Sequence, residues 1–210
     1  MQDLRLHPIV RMAAKVISYI FHPLFLPVYL GYFFIYVLRL FPEQDAWHQT
    51  VLLLTFFLNY TLLPLVSILL LKGVGFIHSI YLNTQKDRII PYVITGIFYF
   101  WVWYVFKNMH YPDEIQMFGL AAFIASSAGL IANSFFKVSM HALSLGVITA
   151  LMMIISFHFS RNFGPYITYT FLVTGLVCTA RLVNTDHTPF EVYAGLFIGM
   201  LCQLIAWHFV

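Results

Sequence analysis

Charge is what this chain has least of. Among 210 residues there are 11 Lys or Arg and 8 Asp or Glu, 9% in all, where a soluble domain carries about 25%. With 61% hydrophobic residues and a mean hydropathy of +0.84, that shortage excludes an ordinary water-soluble domain. A net charge of +3, scattered along the chain, cannot neutralise a run of phosphates, so nucleic acid is excluded as a partner. The eight acidic residues are spread over several loops and give a hard cation no cluster to sit in, so no metal or other cofactor is expected. Cysteine is almost missing too. Cys178 and Cys202 both fall inside apolar runs, as small core residues rather than a disulfide or zinc framework.

What the chain does have is length of apolar sequence. About 20 apolar residues cross a bilayer core, and seven such runs cover roughly 14–38, 50–71, 89–106, 116–136, 141–158, 165–180 and 190–209. The expected fold is all-α, a polytopic membrane helical bundle of about seven spans forming one integral domain over residues 1–210. Arg5, Arg11 and Lys15 precede the first run, but no small-residue cleavage site follows it, so a retained first helix is expected. His22, Pro23 and Pro27 interrupt that run and predict a kink, with a role in lining a substrate groove as the alternative. The segment Val74 to Gln85, with His78 and Tyr81, reads as an interfacial stretch. Gly195 and Gly199 form a GxxxG pair in the last run, read first as helix packing and secondarily as a surface for a homodimer.

The few ionisable residues are grouped. Lys86, Asp87 and Arg88 stand before the third run, Lys137, Ser139 and His141 before the fifth, and Arg181, His187 and Glu191 between the sixth and seventh. With seven spans these three loops emerge on one membrane face, and ionisable groups at a membrane edge are functional suspects. His187 and Glu191 are four apart, so a helix beginning near Thr188 puts them on one face. A histidine held by a carboxylate suits a nucleophile or base, and a nearby arginine suits phosphoryl oxygens. Cations outside these clusters number four on that face (Arg5, Arg11, Lys15, Lys72) against three on the other (Arg39, Lys107, Arg161), which assigns no side to the cytoplasm.

These residues resemble the signatures of the type 2 phosphatidic acid phosphatase superfamily. Arg181, five residues, His187, three residues, Glu191, then Val192, Ala194 and Gly195 follow the spacing and tail of that family's third signature. Ala180 and Glu191 stand where Ser and Asp are usual. Ser139 and His141 match the second signature, Pro-Ser-Gly-His, with Val138 and Met140 replacing its Pro and Gly. Lys86, Arg88 and Pro91 resemble a shortened first signature. The resemblance covers about residues 86–195.

It implies a six-helix phosphatase-like core in a multi-pass protein of the bacterial cytoplasmic membrane. Its substrate would be a phosphorylated membrane lipid, such as a polyprenyl diphosphate or phosphatidic acid, hydrolysed without metal. By resemblance His187 attacks phosphorus to form a phosphohistidine, Glu191 orients it, and His141 protonates the leaving oxygen. Arg181, Arg88, Lys86, Ser139 and Lys137 would hold the phosphate. The altered second signature also fits a non-catalytic phospholipid binder or transporter on the same scaffold. Met140 is the departure that bears on this choice, because its side chain stands where glycine lets backbone approach a ligand.

Overall fold

The computed structural model describes residues 7–76, 84–184 and 187–210; His78 and Tyr81 lie outside the described residues. Among these residues the chain is helical throughout, without strands. Eight helices are present: α1 (Pro8–Ile20), α2 (Leu26–Val37), α3 (Ala46–Gly73), α4 (Gln85–Asn108), α5 (Asp113–Phe135), α6 (Met140–His158), α7 (Gly164–Val183) and α8 (Pro189–Phe209). Helices α3 to α8 are each long and apolar enough to cross a membrane, so the protein is a multi-pass helical bundle.

The ends of the spans follow from local chemistry. Asp45, Thr84, Ser139 and Thr188 are N-caps that accept a backbone N–H of the first turn, satisfying donors that a helix start leaves open. Inside α3 a π-helical turn over Leu58–Leu62 comes just before Pro64, where a proline ring would crowd a regular turn.

The first run differs from the expected single span. It divides at Phe21 to Phe25 into α1 and α2, of 13 and 12 residues, each too short to cross alone. The break leaves carbonyls without helical partners, and other groups take them up. His141 bonds the Ser18 carbonyl, Tyr29 the Ile20 carbonyl, and Thr61 of α3 the Leu24 carbonyl. Helix α1 packs on α7 through buried Ala14 and Ser18. It exposes Ile9, Met12, Val16 and Tyr19 along one stripe and Arg11 and Lys15 beside it, a distribution that suits a helix at the lipid–headgroup boundary.

Helix α6 is the most buried span and α8 its closest neighbour. Glycine explains the contact. A Cβ on Gly199 would strike the Leu143 carbonyl, one on Gly146 the Leu196 carbonyl, and one on Gly195 would lie 2.9 Å from the Ser139 carbonyl oxygen. The GxxxG stripe is therefore covered by α6 of the same chain, the close-approach use of small residues, and is not open for pairing two copies. Cys178 and Cys202 are both buried and free.

Candidate functional site

The three polar clusters meet at one end of the bundle. At the start of α8, Thr188 and Glu191 form a capping box: the Thr188 hydroxyl accepts the Glu191 N–H at 3.3 Å, and Glu191 Oε2 accepts the Thr188 N–H at 3.1 Å. The same carboxylate oxygen lies 3.0 Å from His187 Nδ1, which is also 3.2 Å from the Lys137 carbonyl. Both partners are acceptors, so Nδ1 carries the proton and Nε2 keeps its lone pair. Glutamate at the third helical position can reach back to the cap, so the one residue that closes the helix start also fixes the histidine tautomer.

Backbone-directed bonds tie the loops together. Ser139 N–H donates to the Glu191 carbonyl at 3.2 Å. Buried Arg88 donates from Nη1 to the Val138 carbonyl at 2.7 Å. Gln85 and Asn133 exchange bonds of 2.7 and 2.8 Å through side-chain amide and backbone carbonyl, joining the start of α4 to the end of α5. Sequence reasoning singled out neither Gln85 nor this pairing, since two amides 48 residues apart carry no spacing signal.

The electrostatics of His187 report its company. Burial and then the Arg88 charge lower its pKa from 6.5 to about 4, with Arg181 and Lys137 adding to the effect and the Glu191 bond opposing it. The ring is thus neutral at pH 7, as a nucleophile must be. Arg88, Arg181 and Lys137 thus all act on this one histidine, and positive charge gathers at this end of the bundle.

The remaining expected residues divide. Arg181, in the last turn of α7, is half-buried and its charge reaches His187 and His22. Lys137 is half-buried, with its carbonyl on His187. Ser139 is fully buried and its hydroxyl accepts the Ala142 N–H at 3.4 Å, so it serves here as the cap of α6. His141 is buried with Nε2 3.0 Å from the Ser18 carbonyl. Lys86 is exposed, two residues from buried Arg88 and hence on the other side of α4. Comparison with family models, curated proteins and solved structures finds no match.

Two further features lie outside the three polar clusters. His22, taken at sequence level as part of a kink, packs edge-on against His141 with ring centroids 5.2 Å apart. Beside it a cavity of about 140 Å³ enters the bundle between α2, α4, α5 and α6, with His22 and Met140 at one end and Tyr99 and Phe118 among its deeper walls. From Met140 to Val147 it follows α6 for about 10 Å at 1.5 Å per residue. Its walls are mainly apolar. Met140 is one of the residues that line this cavity.

Proposed function

We propose that this chain is a lipid phosphatase of the type 2 phosphatidic acid phosphatase kind, acting in a bacterial cytoplasmic membrane. Its substrate is a phosphate or diphosphate monoester whose headgroup sits among Arg88, Lys137 and Arg181. Part of its hydrocarbon tail enters the cavity beyond Met140. The observation that carries the reading is His187, with Nδ1 held by Glu191 and the Lys137 carbonyl and Nε2 left basic beside three cations.

In this reading Nε2 attacks phosphorus, the bond from phosphorus to the lipid or leaving-phosphate oxygen breaks, and that oxygen takes a proton from the neighbouring histidines. Glu191 stabilises the positive ring of the phosphohistidine. Water then attacks the phosphohistidine, returns a proton to the site and releases phosphate. The cations hold the phosphoryl oxygens through both steps, where most catalysis of phosphoryl transfer lies.

The test is phosphate release by detergent-purified protein, with chelator present, from polyprenyl diphosphate, phosphatidic acid, phosphatidylglycerol phosphate and a lipid A phosphate. Release by wild type that is lost in His187→Ala supports the reading. Binding of these lipids with no release from any of them overturns it in favour of a phospholipid-binding protein.

Two further results are expected. In Arg88→Met the largest charge lowering the His187 pKa is gone, so that pKa rises toward 6.5. The acid limb of kcat/KM against pH then moves up, costing the variant most near pH 5 and least above pH 7. Ionisation of the substrate is common to both proteins, so the difference between their profiles isolates the enzyme group. An unmoved limb shows that Arg88 does not act on the nucleophile. In Met140→Ala the cavity mouth widens, and relative kcat/KM is expected to shift by about 10-fold toward bulkier chains; an unchanged chain preference excludes this cavity as the tail site.

A further inference from the structure

We propose that Tyr92 of α4 is a specificity-determining residue whose hydroxyl donates to an ester carbonyl just past the phosphate, so that the substrate is an acylglycerol phosphate and not a prenyl diphosphate. This inference rests on the phosphatase reading and names the lipid class that the same site takes.

The residue is singled out by what it lacks. Tyr92 is 5% exposed and lines the cavity that has Met140 at one end, yet its hydroxyl has no hydrogen-bond partner among the described residues. Neighbouring hydroxyls in that wall are bonded. Ser126 donates to the Tyr92 carbonyl and Thr95 to the Pro91 carbonyl, each at 2.9 Å, and Ser144 donates to the Met140 carbonyl at 2.9 Å. A buried hydroxyl left unbonded is costly, and a ligand that brings an acceptor removes that cost. The ring itself is closely packed. Gly129 of α5 makes room for it, since a Cβ there would lie 2.6 Å from Tyr92 Cε1.

Position selects the acceptor. Tyr92 follows Arg88 by four residues on α4, so the two share a helix face about 6 Å apart along the axis, and the Arg88 charge acts on Tyr92. With phosphorus held at Arg88, the atoms one turn further in are a few bonds beyond the phosphate. In an acylglycerol phosphate they are the glycerol carbons and the first ester group. In a prenyl monophosphate they are hydrocarbon, and in a prenyl diphosphate they are the inner phosphate. Hydrocarbon leaves the phenol unbonded, and a charged inner phosphate taken out of water needs a cation beside it. No Lys or Arg is among the described residues that line the cavity. A neutral carbonyl is the acceptor that one phenol in a mainly apolar wall can match.

The test is a double-mutant cycle with one change in the protein and one in the lipid. Phosphate release by detergent-purified, full-length wild type, Tyr92→Phe and Tyr99→Phe would be measured on dioctanoyl glycerol phosphate, on its dioctyl ether, which has no carbonyl, and on farnesyl diphosphate. Wild type is expected to favour the ester over the ether in kcat/KM, and Tyr92→Phe to lower that ratio by about 10-fold. Any difference in micelle partition between the two lipids is common to both proteins and cancels. Thermal unfolding of Tyr92→Phe should match or exceed wild type, because the empty protein loses no hydrogen bond. A clearly lower unfolding temperature shows that the hydroxyl is bonded inside the protein and overturns the proposal. So does an unchanged ester-to-ether ratio, or a ratio lost in Tyr99→Phe instead. Farnesyl diphosphate turned over faster than the ester by wild type, or losing as much as the ester in Tyr92→Phe, overturns it as well. Release by wild type from none of these lipids and none of the earlier panel overturns the phosphatase reading itself, and with it this inference.

Discussion

His187→Ala is expected to reduce phosphate release by roughly 10³-fold or more, to the background of the assay. The variant loses the ring that holds the Glu191 carboxylate on Nδ1 and feels the charges of Arg88, Arg181 and Lys137. Its folding should suffer little. The capping box of Thr188 and Glu191 does not need the imidazole, and the lost hydrogen bonds are worth about 1–2 kcal/mol. Glu191→Gln is the sharper companion. It keeps the shape of the side chain but removes the charge that stabilises a positively charged phosphohistidine, so kcat should fall by about 10²-fold while thermal unfolding changes modestly. Radiolabelled phosphate trapped on wild type by acid-free quenching, and missing from His187→Ala, would mark the intermediate directly. Full turnover by folded His187→Ala ends the assignment of this residue as nucleophile.

The second large effect concerns the scaffold. Gly199→Val should abolish the folded bundle or lower its unfolding temperature severely, beyond the roughly 1–3 kcal/mol of a typical overpacked core. The reason is that a Cβ at 199 meets a backbone carbonyl, Leu143 on α6, and backbone has no rotamer to yield. Helices α6 and α8 would have to separate, and they are the pair that holds His141 and Ser139 against His187 and Glu191. Gly175→Ala on α7 is the control, since nothing lies within 4 Å of a Cβ there, and it should be neutral or stabilise by up to about 1 kcal/mol. Heating both variants in detergent and following the monodisperse peak on size exclusion compares them. Equal stability of the two would mean that α6 and α8 do not touch at these glycines.

Much of this molecule is legible before folding. Helices α3 to α8 coincide with the last six apolar runs to within a few residues, because bilayer thickness fixes the length of a span and capping residues such as Thr84, Ser139 and Thr188 mark where each begins. The i, i+4 relation of His187 and Glu191 is also local, and their 3.0 Å contact follows once α8 starts at Pro189. Grouping Lys86, Arg88, Ser139, His141 and His187 on one face needed only the alternation of spans. Lys86 shows where that reasoning stops: a face of the membrane is known from topology, but the side of a helix is known only from its neighbours.

What the sequence by itself determined is therefore the bilayer as solvent, the six long spans that follow the first run, and which loops share a membrane face. All three depend on composition and on distances along the chain. What only the tertiary structure decided is the division of the first run and the place of His22. Pro23 and Pro27 permit a kink or a full break, and the choice depends on whether other helices can satisfy the carbonyls that a break releases. Here His141 and Thr61 reach the Ser18 and Leu24 carbonyls from 123 and 37 residues away. No local pattern encodes partners at that separation; they exist only once the bundle has brought the helices together.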